Sequence, residues 1–172
     1  MCELETPRLS RRHFGLLAAS ALSFSMFPLL ARASGTAEAL ALTCIDYRLV
    51  DASVKFYDET LHLEDEYDHV GLAGASLAAV SPKFPSANAA FWDQLQIAKE
   101  LHHIKKVIAL DHRDCGAYKV AFGKHYAGEG KAEMEQHKRV MLHLQAALKR
   151  RHPDLGSEFY LMALDGTAEK IL

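Results

Sequence analysis

Cysteine is scarce. Three in 172 residues are too few for a fold held together by disulfides. Five prolines and ten glycines, without any repeat, exclude collagen-like and low-complexity chains. Neither charge is in strong excess: 20 Lys and Arg face 22 Asp and Glu, a formal net charge of −2. Bulk binding of nucleic acid therefore has no electrostatic footing. A glycine-rich phosphate loop is also missing, because Gly71-Leu72-Ala73-Gly74 lacks the spacing of the Walker and dinucleotide types. Long apolar runs are missing too, apart from one near the start, so a polytopic membrane protein is excluded. What is present is ordinary: 49% hydrophobic and 24% charged residues, at a length that suits one domain.

The single apolar run has the form of an export signal. Met1 to Arg12 is polar and ends in Arg11-Arg12, and Phe14 to Ala31 carries no charge. Ala31-Arg32-Ala33 then supplies a small-x-small cleavage pattern. Ser10-Arg11-Arg12-His13-Phe14 resembles the twin-arginine motif. Pro28 interrupts the run, which disfavours an uncleaved anchor. The expectation is a signal peptide over 1–33, cleaved after Ala33, on a periplasmic or otherwise exported bacterial protein with no stable membrane insertion afterwards. Residues 34–172 then form a single α/β domain. Cleavage removes four basic and two acidic residues, moving the net charge from −2 to about −4. Only Cys44 and Cys115 remain.

Beyond the leader the pattern alternates strand and helix. Ala39–Thr43, Tyr67–Leu72, Val107–Leu110 and Phe159–Leu164 read as strands. Val50–Leu63 is expected to be helical through Val54, Tyr57 and Leu61. Ala89–His103 is expected to be helical through Phe91, Leu95, Ala98 and Leu101. Lys131–Arg151 is the longest helix, with Met134, His137, Met141, Leu144 and Leu148 on one stripe, and Pro153 beyond its end. Ser81-Pro82 and Pro85-Ser86 mark a loop. Continuous apolar strands that alternate with helices predict a mostly parallel β-sheet flanked by helices.

Chemistry gathers at the carboxyl ends of two of these strands. The first ends in Cys44-Ile45-Asp46-Tyr47-Arg48 and the third in Asp111-His112-Arg113-Asp114-Cys115-Gly116. Two thiolates and one imidazole, with Asp46 near, suit a catalytic zinc site with one open or carboxylate position. The H-x-x-C spacing lets one turn present both groups to one ion. A disulfide between Cys44 and Cys115 is the competing expectation for an exported protein. Asp111 and Asp114 either put extra negative charge near the cluster or are solvated turn residues, and the second reading is favoured for loop aspartates.

Cys44-x-Asp46-x-Arg48 followed by His112-x-x-Cys115-Gly116 resembles the paired signature of the β-class carbonic anhydrases, over about Ala39 to Leu164. The resemblance implies zinc (Zn2+) held by Cys44, His112 and Cys115, and an Asp46–Arg48 pair beside it. Asp46 is then a fourth ligand in a closed state. It implies a carbonate dehydratase, a zinc lyase that reversibly hydrates carbon dioxide to bicarbonate with zinc hydroxide as nucleophile. It also implies a homodimer or higher oligomer. Departures from the pattern are Gly71-Leu72 before Ala73-Gly74, Asp111 before His112, and no active-site glutamine in Ser34–Thr43. Were Leu72 to line the pocket, a hydrolase of carbonyl sulfide or carbon disulfide would be the alternative. A non-catalytic zinc-binding or disulfide-stabilised interaction protein of the same fold is a further one. His102, His103 and His125 are available to relay a proton.

Overall fold

A computed structural model describes residues 35–126 and 130–172. The expected signal peptide and its cleavage point at Ala33 lie outside the described residues. No helix among the described residues is long and apolar enough to cross a membrane.

The sheet has five strands: β1 (Ala39–Thr43), β2 (Tyr67–Gly71), β3 (Lys106–His112), β4 (Gly156–Met162) and β5 (Ala168–Lys170). Their spatial order is β2-β1-β3-β4-β5, with β1 to β4 parallel and β5 antiparallel to β4. The mostly parallel sheet expected from the unbroken apolar runs is what forms. β1 is buried at every position, as a strand covered on both faces must be. The antiparallel β5 was not visible in advance, because three residues carry too little pattern.

Side chains alternate across the sheet and feed two cores. On one face Leu40, Leu42, Val107, Ala109, Phe159 and Leu161 meet helices α2 (Ser76–Val80), α3 (Pro85–His102) and α5 (Gly130–Arg151). On the other, Ala39, Ala41, Ile108, Leu110, Tyr160 and Met162 meet Leu49, Phe56, Tyr57 and Leu63, in and around α1 (Val50–Lys55). Helix α4 (Gly116–Phe122) follows β3. α5 buries the predicted His137, Met141, Leu144 and Leu148, together with two residues no apolar stripe predicts, Glu133 and Gln136.

Three local expectations change. Pro85 opens α3 at its first turn, where a missing N–H costs nothing, so the helix starts four residues before Ala89. Leu101 lies off the buried stripe, 55% exposed, and Ile104 fills that end of the core instead. The helix from Val50 changes to a wider π turn over Phe56–Thr60. That change of pitch turns Phe56 and Tyr57 inward and leaves Val54 partly exposed.

Glu158 on β4 joins the β5 edge to the sheet. Its carboxylate accepts from Lys106, Lys170 and the Tyr160 hydroxyl, each at 2.7 Å. Burial works against ionisation there, but these donors outweigh it and bring the pKa down to about 2. A depressed carboxylate stabilises the fold above its unfolded pKa and loses that contribution as pH falls toward the folded one. Stability is therefore expected to fall between about pH 4.5 and 2, with Glu158 contributing. Glu158→Gln flattens that part of the profile. Urea denaturation of both proteins at pH 7, 4 and 3 checks it: an equal loss in the two would rule Glu158 out.

Candidate metal centre

Parallel pairing builds the site. Thr43, the last residue of β1, pairs with Leu110 of β3. Cys44 is the next residue, and β3 continues to Asp111 and His112. In a sheet ordered 2-1-3-4 the chain leaves β1 and β3 in opposite directions, which opens a crevice at their carboxyl ends. Cys44, His112 and Cys115 converge in that crevice, their ligand atoms all within 4.8 Å of one another. Cys115 is the cap residue of α4, where the helix N-terminus favours a thiolate.

Both cysteines are free, with sulfurs 3.9 Å apart. A disulfide would need about 2.05 Å, so the competing expectation of a bridge is not what this geometry holds. The separation instead matches two metal–sulfur bonds of about 2.3 Å meeting near the tetrahedral angle. His112 is prepared in the same sense. Its Nδ1 bonds to the Arg113 carbonyl at 2.8 Å, which fixes the proton on that nitrogen. Nε2 is buried with no hydrogen-bond partner among the described residues. A buried lone pair left unpartnered beside two thiols fits a soft divalent cation such as zinc. The bond from the Cys115 thiol draws the Cys44 thiol well below its ordinary value against the effect of burial, and His112 and the Gly74 N–H, at 3.2 Å, add to it. The same sulfur–sulfur bond and burial push Cys115 up. A bound cation displaces thiol protons.

Asp46 and Arg48 stand beside the cluster. Arg48 grips the carboxylate at both oxygens, through Nε at 3.0 Å and Nη2 at 2.8 Å. Its backbone N–H adds a third bond at 3.1 Å. These hydrogen bonds hold the Asp46 pKa down to about 2, and the same pairing raises that of Arg48. Asp46 Oδ2 is 3.8 Å from His112 Nε2, outside the three-ligand cluster but next to it. The remaining guanidinium nitrogen bonds to Asp114 at 3.0 Å. Asp114 accepts also from His125 at 2.8 Å, and its pKa is lowered by Arg48 first. Of the three candidate relay histidines only His125 bonds into this array. His102 pairs with Asp68 on β2, and His103 ends α3.

Asp111 corrects its sequence assignment outright. It is 1% exposed, inside β3, and accepts from Ser76 N–H at 2.9 Å, Tyr118 O–H at 2.6 Å and His137 Nδ1 at 2.9 Å. An aspartate in a D-H-R-D-C run gives no sign of this, because its partners come from three distant elements. Glu133 was missed for the same reason. It accepts from the Asp114 N–H at 2.6 Å and from Arg113 at 3.3 Å.

Comparison with known proteins shows the family and the fold. The family described as "Putative carbonic anhydrase" matches residues 34–146. The chain belongs to this carbonic anhydrase family. An uncharacterized protein of Rickettsia conorii is 37% identical over 135 residues, covering 78% of this chain and 72% of its own length. One of Rickettsia bellii is 38% identical, covering 78% and 82%. The crystal structure of a carbonic anhydrase from Streptococcus mutans shares the fold, with a TM-score of 0.55 at 15% identity, over 96% of this chain and all of that one. The carbonic anhydrase fold accounts for the crevice and for the α/β layering around it.

Gly74 is the tightest point of the cradle. Its φ is +87°, and a Cβ there would sit 3.0 Å from the Ala117 Cβ. Gly74→Ala is expected to cost about 1–3 kcal/mol through strain and overpacking. Thermal unfolding measures the cost. Faster alkylation of Cys44 in the folded variant is the accompanying sign that the Gly74 N–H bond to sulfur has loosened.

Proposed function

We propose that this chain is a zinc-dependent carbonic anhydrase that hydrates carbon dioxide reversibly to bicarbonate. The observation that carries the reading is the pair of free thiols with the orphaned His112 Nε2, set beside an Arg48-clamped Asp46. Membership of the carbonic anhydrase family supports it. Cys44, His112 and Cys115 would hold the metal. When bound, zinc supplies the Lewis acidity that makes a water molecule nucleophilic near neutral pH.

The side chains around it do the rest. Two thiolates offset the charge of the cation, so the water needs a second partner. Asp46 stays ionised at working pH and accepts a hydrogen bond from the attacking water, aiming its lone pair at the substrate carbon. Arg48 keeps that carboxylate from rotating and draws it back from the three ligands. The closed clamp keeps Asp46 outside the set Cys44, His112 and Cys115; released, Asp46 would join these residues in holding the metal and would shut the site. Bicarbonate and one proton leave to solvent, and His125, bonded to Asp114, is the candidate relay we place on the proton's path.

The carbonyl sulfide and carbon disulfide alternatives depended on Leu72 facing substrate. Leu72 is half-buried and packs against the larger core, and membership of the carbonic anhydrase family favours carbon dioxide. Export to the periplasm through the 1–33 leader belongs to the same proposal.

Metal analysis and stopped-flow hydration across about pH 7–9 test it together. One zinc per chain and a rate well above buffer are expected. Cys115→Ser is expected to lose both metal and rate, and Asp46→Asn to keep the metal while the rate drops by about 100-fold or more. Full zinc occupancy with no rate above buffer would leave a non-catalytic zinc protein. A protein with no metal and no free thiols would be the disulfide-stabilised alternative.

A further inference from the structure

The proposed chemistry makes no use of Asp111, although this buried carboxylate precedes His112 directly. We propose that Asp111 is the positioning residue of the metal cradle, tying the Gly74–Ser76 turn, α4 and α5 to one point and thereby fixing where the Cys44 sulfur lies. The proposal rests on the metal-binding reading above.

Its two oxygens serve different elements. Oδ1 accepts the Ser76 N–H at 2.9 Å. The turn before Ser76 is strained: Ala75 has φ of +45° and is fully buried, and Gly74 has φ of +87°. An alanine holds that conformation only where its surroundings over-determine it. The Asp111 bond begins at the next residue and pins the turn from inside. At the other end of the turn the Gly74 N–H donates to Cys44 Sγ at 3.2 Å. A short hydrogen-bonded path therefore runs from Asp111 through three residues of backbone to the first ligand.

Oδ2 accepts the Tyr118 hydroxyl at 2.6 Å and the His137 Nδ1–H at 2.9 Å. Tyr118 lies three residues after Cys115, in the first turn of α4, and its ring packs on that of His137 with centroids 3.9 Å apart. His137 and Glu133 are both on α5, and Glu133 holds the Asp114 N–H. The turn behind Cys44, the helix behind Cys115 and the helix supporting Asp114 thus converge on one carboxylate. Asparagine disturbs this arrangement. With its oxygen on Ser76, its amide nitrogen only donates, so Tyr118 would have to reorient its hydroxyl and His137 change tautomer to accept from it.

The test is zinc affinity, measured on the full chain by competition with a chromophoric chelator. The visible spectrum of the Co2+-loaded protein is read alongside it. Asp111→Asn is expected to weaken zinc binding by about 10–100-fold and to shift the cobalt–thiolate bands. Leu148→Ala destabilises the same helix from the far core and is expected to change neither once folded. Wild-type affinity and spectrum in Asp111→Asn would overturn the proposal and leave the metal reading intact, as would an equal loss in Leu148→Ala. Should Asp111→Asn fail to fold, His137→Gln decides: a few-fold weaker affinity supports the anchor, and none overturns it. A wild-type chain that binds no zinc overturns the metal reading itself, and this proposal with it.

Discussion

The register between β1 and β3 is the constraint on which the site depends. Leu42 lies beside Ala109 and Thr43 beside Leu110. That pairing alone brings Cys44 to Cys115, 71 residues away in sequence. The connections on either side reinforce it. From β1 the chain leaves through α1 over one face of the sheet, and it enters β3 from α2 and α3 on the other. A one-residue slip would reverse the facing of β1, putting Leu40 and Leu42 where Ala39 and Ala41 now pack. Burial on both faces therefore fixes where the metal loops start.

Two further ties fasten those loops, one in each dielectric. At the surface, Arg48 joins the Cys44–Arg48 loop to Asp114 by charge-assisted bonds. In the interior, Asp111 joins β3 to the Gly74–Ser76 turn and to two helices by bonds sealed from water. Salt weakens the first and hardly touches the second. The sulfur side of the cluster is thus held by buried bonds and the carboxylate side by exposed ones.

Most of the fold was legible in the sequence because buried parallel strands are unbroken apolar runs and long helices repeat visibly. The meeting of Cys44, His112 and Cys115 was legible because all three stand at the carboxyl ends of strands that parallel pairing makes neighbours. Asp46 and Arg48 needed only to stand two and four residues further on. What stayed hidden was polar and buried. Glu133, Gln136 and Asp111 carry surface-type side chains, and only their three-dimensional partners account for their burial. The π turn at Phe56–Thr60 was hidden for another reason: a pitch change leaves the residue types unaltered and only rotates them.

The three ligands do not hang from equally firm structure. His112 is the last rung of the β3–β4 ladder, opposite Met162, and the next N–H, that of Arg113, still bonds to Met162. Cys44 stands one step past the end of β1, with the Gly74 N–H on its sulfur and Arg48 further along its loop. Local opening follows such differences, since segments outside a ladder fray at lower free energy than those within it. One jaw of the cradle is thus set in the sheet and the other is hinged on a loop. Many zinc-binding modules collapse when stripped of their ion. Here the two β-sheet cores are built without the cluster, and the β3 side of it is tied into the sheet while the Cys44 side is not.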